Sequence, residues 1–232
     1  MPGSAASPGR TPEDWRAWQP DDPPPGAPLA VWRWNASAVG AQPSILSQEE
    51  LSRADNMAPR RRARFLADRS ALRRILACHL ARLPGALAFT YSALGRPTLA
   101  PHGEMALDFN LSHSGDQSVL AVCRSGAVGV DIEHLRALPD ILAVARRVFP
   151  PAWVERLLAQ PEAGRRRAFF ELWTRFEACQ KATGRGVFSG VSAVIDQATR
   201  AFLVTEDCIG HICLSGAELP PDIAWLQLDA ND

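Results

Sequence analysis

Lysine is all but missing from this chain. Of its 25 Lys and Arg residues, Lys181 alone is lysine and the other 24 are arginine. The 25 basic residues are balanced by 25 acidic ones, so no global field recruits nucleic acid and any anion site has to be a local cluster. Cysteine is sparse and odd in number: Cys78, Cys123, Cys179, Cys208 and Cys213 are scattered, which fits reduced, buried thiols better than a disulfide framework. No apolar run approaches the ~20 residues of a membrane span. The first 28 residues carry eight prolines and lack the basic start and apolar core of a signal peptide. A soluble, cytoplasmic protein is expected, with residues 1–28 a loose proline-rich arm whose Trp15 and Trp18 could reach a surface groove.

What is present reads as a globular chain, 47% hydrophobic and 22% charged over 232 residues. Where a plain positive charge suffices this sequence uses arginine. The surviving lysine therefore marks a position that needs a compact ammonium rather than a planar fork. In a helix, Glu177 and Lys181 share one face, one turn apart. An ordinary surface ion pair is the alternative reading of that spacing.

The chain alternates strands and helices in two comparable halves. Leu29–Trp34 reads as a strand, and Ser47-Gln48-Glu49-Glu50 opens a short helix with a capping box. Arg60–Leu83 is a long helix with a strongly basic start, ended by Pro84-Gly85. A short strand over Phe89–Tyr91 precedes the turn Gly95-Arg96-Pro97. Ala106–Leu111, Ser118–Cys123 and Ala127–Glu133 follow as strands joined by short Gly/Ser loops, which predicts an antiparallel meander. Helices are expected over Leu138–Val148, Pro151–Leu158 and Arg166 to about Thr183. The closing strands are Val191–Asp196, Ala201–Thr205, Ile209–Leu214 and Ile223–Leu228. The expected fold is α+β, with an N-terminal lobe over 29–126, a C-terminal lobe over 127–232, and ligands in the crevice between them.

In Val128–Glu133, strand alternation puts Val128, Val130 and Ile132 on one face and Gly129, Asp131 and Glu133 on the other. The two carboxylates then lie roughly 6.5–7 Å apart. Two readings stay open: solvated acids on an exposed edge, or ligands of a hard cation such as Mg²⁺, with Glu177 as a third carboxylate and Lys181 on a phosphate. On the helix, Leu172, Phe176, Cys179 and Thr183 form the buried stripe, leaving Trp173, Glu177 and Lys181 toward the cleft. Ser112-His113-Ser114-Gly115 reads as a turn able to hold phosphate. A Ser–His triad there is disfavoured, because neighbouring side chains diverge. Cys208-x-x-His211-x-Cys213 has no second half to complete a zinc site and reads as strand.

Together these residues resemble the 4'-phosphopantetheinyl transferases of the type that activates surfactin synthetase. The signatures are Gly129-Val130-Asp131-Ile132-Glu133, then Trp173-Thr174-Arg175-Phe176-Glu177-Ala178 with Lys181. Phe109-Asn110-Leu111-Ser112-His113-Ser114, Gly95-Arg96-Pro97 and Gly184-Arg185-Gly186 add to them. The resemblance implies two similar α/β lobes in pseudo-twofold arrangement, with coenzyme A and Mg²⁺ in the cleft of a monomer. It implies transfer of phosphopantetheine to a serine of an apo acyl or peptidyl carrier protein, with release of 3',5'-ADP. Asp131, Glu133 and Glu177 would surround the metal, and Glu177 would be the base. Lys181 would contact the pyrophosphate. Arg96, Ser112 and His113 would hold the adenosine-side phosphates, helped by Arg61, Arg64, Arg69 and Ser70. Phe176 departs from the lysine usual before the glutamate, which raises a coenzyme A- or carrier-binding module without transfer activity as the alternative. A metal-dependent phosphodiesterase is a third reading.

Overall fold

Trp15 and Trp18, expected in a loose arm, are buried. In the computed structural model, which describes residues 11, 14–19, 22–92, 95–100, 107–184 and 197–229, Trp15 immediately precedes and Trp18 ends a short edge strand, β1 (Arg16–Trp18). The Trp15 indole N–H donates to Leu203 O at 3.0 Å, and Trp18 packs edge-on to Trp32 at 4.7 Å. Two large aromatic faces outweigh the extended bias of the prolines around them.

β2 (Leu29–Asn35) is central and apolar on both faces: Ala30, Trp32 and Trp34 enter one core, Leu29 and Val31 another. Asn35 caps α1 (Ala36–Val39), and Ser47 and Glu50 close the expected capping box on α2 (Gln48–Asp55). α3 (Pro59–Leu80) ends three residues earlier than its sequence pattern suggests, and Leu83 is left 77% exposed. Its basic face is not simply solvated. Glu50 takes Arg69 Nε at 2.5 Å and Arg73 Nε at 2.8 Å, all three side chains buried.

β3 (Phe89–Tyr91) and β4 (Pro97–Leu99) pair as a small hairpin. β5 (Asp108–Ser114) and β6 (Gln117–Cys123) form a second, turned by Gly115 at φ +58 and Asp116. Ser112–Ser114 thus belong to a strand rather than to a turn. The expected meander stops here, because β7 (Val128–His134) pairs with another strand and not with β6. After α4 (Ile141–Val148), α5 (Pro151–Leu158) and α6 (Glu162–Thr183) come β8 (Ala198–Thr205) and β9 (Cys208–Leu214). These complete an antiparallel sheet of order β7-β9-β8. The expected strand Val191–Asp196 lies outside the described residues. β10 (Ile223–Leu228), read from sequence as part of the closing set, instead inserts between β1 and β2, parallel to both, in a sheet of order β1-β10-β2-β6-β5.

The fold is mixed α+β, stacked in four layers. α3 covers one face of the five-stranded sheet. The other face packs Val31, Val119 and Ala121 against Val130, Ile132 and Phe202 of the three-stranded sheet. α6, with the aromatic cluster Phe149, Trp153, Phe169 and Phe176, covers the far side of that sheet. Among the described residues no helix is long and apolar enough to cross a membrane.

Candidate active site

The two sheets are joined at β5 and β7 by side chains. Asp108, Asn110, Ser112 and Ser114 alternate along β5, and each accepts a backbone N–H of β7, always 20 residues on. Val128 N reaches Asp108 Oδ2 at 2.8 Å, Val130 N reaches Asn110 Oδ1 at 2.9 Å, Ile132 N reaches Ser112 Oγ at 3.4 Å and His134 N reaches Ser114 Oγ at 3.1 Å. The outer edge of β7 is thereby satisfied without a backbone ladder, and its register is locked to β5.

Alternation in β7 runs as the sequence indicates. Val128, Val130 and Ile132 enter the core between the sheets, and Gly129 and Asp131 face α6. Gly129 clears space for that helix: a Cβ there would lie 2.0 Å from Ala178 O and 2.4 Å from Ala182 N. Both are backbone atoms that cannot swing away. Gly129→Ala is therefore expected to cost about 3 kcal/mol, at the upper end of overpacking, and to move α6 off the strand. Urea unfolding followed by circular dichroism measures it.

Seated this closely, α6 places Lys181 over Asp131. The ammonium donates to Asp131 Oδ1 at 2.7 Å, Val130 O at 3.2 Å and Ser112 Oγ at 3.2 Å. An ammonium has three N–H donors, and here three acceptors converge on one nitrogen. A planar guanidinium cannot point three donors at one such cup, which gives the lone lysine a physical reason. Glu177 lies one turn back on the same helix face, but the ion pair of Lys181 is with Asp131. Lys181→Arg is expected to keep the fold and lower turnover ~10–100-fold through displacement of the charge. Steady-state kinetics beside a thermal melt separate the two effects.

Glu133 and Glu177 both sense the charge of Asp131. Burial, then the Asp131 charge, push Glu133 above the usual carboxylate range, while Ser114 Oγ donates to its Oε2 at 3.1 Å and pulls the other way. Burial, then Asp131, also push Glu177 up, with Lys181 opposing. Asp131 is only 6% exposed, and its second oxygen, Oδ2, is buried with no hydrogen-bond partner. An anionic oxygen left unpaired out of water is costly, and a cation would relieve it. Among the described residues no three His, Cys, Asp or Glu side chains are gathered into a ready-made metal cage. The donors present suit Mg²⁺, which binds one or two carboxylates and completes its shell with water and substrate phosphates.

A cavity of about 600 Å³ opens beside Lys181, between α3, the β3–β4 hairpin and the C-terminal end of α6. Met57, Phe65, Phe109 and Leu111 give it an apolar floor; Arg53, Arg61, Arg64 and Lys181 give it a cationic rim. That pairing of surfaces suits a flat heterocycle carrying phosphates.

Of the residues expected here, Arg61, Arg64, Arg69, Arg96, His113 and Lys181 line the cavity. Arg64 donates to Gly115 O at 3.3 Å. Burial, then Arg64, hold His113 below the ordinary imidazole range. Arg69 is largely committed to Glu50. Ser70 is not brought to the cavity; its hydroxyl donates to Leu66 O and accepts from Gln42 N. Arg96 spans the seam instead of standing free: it donates to both oxygens of Asp108, to Phe109 O, Val128 O and Lys181 O. Ser112 sits with Asp131 and Lys181 rather than on the cavity wall.

Phe176 is 1% exposed and packs 6.2 Å from Phe149, so at this position a phenylalanine serves the core. Trp173, expected toward the cleft, stacks on Phe169 instead, and Arg175 lies over Trp153. Thr183, expected in the buried stripe, is half-buried. Cys208 and Cys213 belong to different cores, and His211 shares a 2.9 Å hydrogen bond with Thr174.

Asp108 and Asp68 carry no signal in the sequence, and Asn110 and Ser114 enter only within the Phe109–Ser114 signature and the Ser112–Gly115 turn, not as a row that holds β7. Asp108, Asn110 and Ser114 repeat every second residue with Ser112, a signal that reads equally as a solvated strand face. Asp68 reaches the cavity while held by Trp34 Nε1 at 2.9 Å and Ser118 Oγ at 2.7 Å.

The chain is similar to several known proteins that share one description. A family model described as the 4'-phosphopantetheinyl transferase superfamily matches residues 127–223, the stretch that carries β7 and α6. Slr0495 of Synechocystis sp., assigned as a 4'-phosphopantetheinyl transferase, is 37% identical over 202 residues, 81% of this chain and 82% of that protein. The 4'-phosphopantetheinyl transferase HetI of Nostoc sp. is 40% identical over 62% of each chain. The 4'-phosphopantetheinyl transferase AcpT of Escherichia coli is 34% identical over 64% of this chain and 70% of its own.

Proposed function

Since this chain belongs to the 4'-phosphopantetheinyl transferase superfamily, we propose that it moves the 4'-phosphopantetheine arm of coenzyme A onto a serine hydroxyl of an apo acyl or peptidyl carrier protein and releases 3',5'-ADP. The observation that carries this reading is the buried, unpartnered Oδ2 of Asp131, whose other oxygen holds the Lys181 ammonium that lines a cation-rimmed cavity. On the same reading, the five- and three-stranded sheets, each covered by a 22-residue helix, are two related lobes with the donor in the cleft between them.

Arg61, Arg64 and His113 take the adenosine-side phosphates, and the apolar floor takes the base. Lys181 meets the pyrophosphate with a fixed positive charge. Mg²⁺ would be held by Asp131 and Glu133, with Glu177 beside it, and when bound supplies charge neutralisation at the pyrophosphate. Glu177, its proton affinity raised by burial and by Asp131, takes the proton of the incoming serine. The serine oxygen then bonds to the phosphorus carrying the pantetheine arm. The bond from that phosphorus to the bridging oxygen breaks, and its electron pair leaves with 3',5'-ADP. Phe176, being core, gives no support to a binding module without chemistry. We place the reaction in the cytoplasm, on a monomer, without nucleic acid or membrane.

Intact-mass spectrometry of an apo carrier protein incubated with the enzyme, coenzyme A and Mg²⁺ tests this. A carrier heavier by one phosphopantetheine group is the expected result. Coenzyme A binding with no mass gain would indicate the binding module, and nucleotide release without a carrier would indicate a phosphodiesterase.

A further inference from the structure

Two hydroxyls of β5 stand behind the carboxylates of β7 in the same way. Ser112 Oγ lies 2.9 Å from Asp131 Oδ1, and it is also within reach of Ile132 N at 3.4 Å and Lys181 Nζ at 3.2 Å. A serine hydroxyl has two acceptor sites and one proton. The backbone N–H and the ammonium are donors only, so they occupy both acceptor sites. The proton of Ser112 has one place left to go, Asp131 Oδ1. Ser114 repeats the arrangement two residues on: its Oγ accepts from His134 N at 3.1 Å and lies 3.1 Å from Glu133 Oε2, an acceptor-only group when ionised.

From this we infer that Ser112 and Ser114 are positioning residues, each anchored by a β7 backbone N–H and each fixing one oxygen of a metal-site carboxylate. At Asp131 the result is visible: Oδ1 is taken by Ser112 and Lys181, and Oδ2 is the oxygen left without a partner. The anchoring N–H belongs to the residue after the carboxylate in both cases, so strand register and carboxylate orientation are set by the same hydroxyl. This gives Ser112 a task other than holding an adenosine-side phosphate, and gives Ser114, read from sequence only as part of a phosphate-holding turn, a task of its own. The inference rests on the proposed metal-assisted transfer and specifies how its carboxylates are aimed.

Ser114 is the cleaner residue to test, since it touches neither Lys181 nor the cavity. Mn²⁺ serves as the probe, with binding to the full-length protein followed by electron paramagnetic resonance and without substrate. Loss of an outer partner of a metal ligand commonly weakens affinity ~10–100-fold. Ser114→Ala is expected to weaken Mn²⁺ binding about 10-fold in a protein that still folds, with a modest drop in melting temperature because the His134 N–H loses its acceptor. Ser114→Thr, which restores the hydroxyl on a residue strands favour, is expected to recover it. If Ser114→Ala fails to fold, Ser114→Cys, with its weak donor, replaces it. Wild-type affinity in the alanine variant overturns the positioning role and leaves the transferase reading standing. Equal weakening in the alanine and threonine variants overturns it too, because the hydroxyl is then not the cause. Absence of Mn²⁺ binding by the wild-type protein overturns both the inference and the metal-assisted reading beneath it.

Discussion

Glu177→Gln is expected to abolish transfer, by about 10²–10⁴-fold, and at the same time to make the substrate-free, metal-free protein more stable at neutral pH. The first effect follows from losing the group that accepts the serine proton. The second follows from the sign of its proton affinity. Burial, then the Asp131 charge, raise Glu177 above its ordinary value of 4.5. Between that value and its raised value the folded chain binds more protons than the unfolded chain, so stability falls as pH rises through this window. Glu133 is raised by the same two causes and acts in the same direction. A glutamine at 177 removes one member of the repelling set. Its gain in melting temperature should therefore be present at neutral pH and vanish below about pH 4, where the wild-type carboxyl is already neutral. A residue with a purely structural role would show a loss of stability instead.

Asp131→Asn carries the same change in charge and the opposite expected stability. Asp131 anchors Lys181 and Ser112 through Oδ1, and the ammonium it neutralises is only partly exposed. Hydrogen bonds to charged groups are the expensive ones to lose. The asparagine variant is expected to be about 1–3 kcal/mol less stable, even though relief of Glu133 and Glu177 recovers some of that. Transfer is expected to fall by more than the ~10–100-fold that losing an outer partner costs, because a proposed metal ligand itself is altered. Two isosteric removals of one negative charge should thus move the melting temperature in opposite directions. Differential scanning calorimetry of both variants without metal decides it.

Much of this site can be read in the sequence because its parts are local. The valine–isoleucine alternation in β7 assigns Asp131 to the face away from the sheet core, and the helical spacing of Glu177 and Lys181 puts them on one side of α6. The capping box at Ser47 and the bounds of α5 are equally local, set by one hydroxyl and by one proline. What escaped notice depends on distant partners. Ser112 and Ser114 read as a turn, and Asp108 carries no local signal, until β7 lies beside β5 with N–H groups to satisfy. Glu50 lies 19 and 23 residues before the arginines it neutralises, so Arg69 and Arg73 read as free cations. β10 finds β2 across nearly the whole chain, a pairing that no short-range pattern encodes. Trp15 and Trp18 lie among prolines and charges that signal an arm, and only the receiving cores explain their burial. Lys181 is the intermediate case: its rarity marks it, but the three acceptors that require an ammonium are a β5 hydroxyl and, from β7, a carboxylate and a backbone carbonyl.

The most direct measurement is the rate of carrier-protein conversion by intact mass, for the wild-type chain and for Asp131→Asn, over a titration of Mg²⁺ that ends in excess chelator. The wild-type rate should rise to saturation with the ion and vanish on chelation, and the asparagine variant should stay near background at every concentration. Wild-type conversion that persists in chelator, or an asparagine variant that converts carrier at the wild-type rate, would contradict the account.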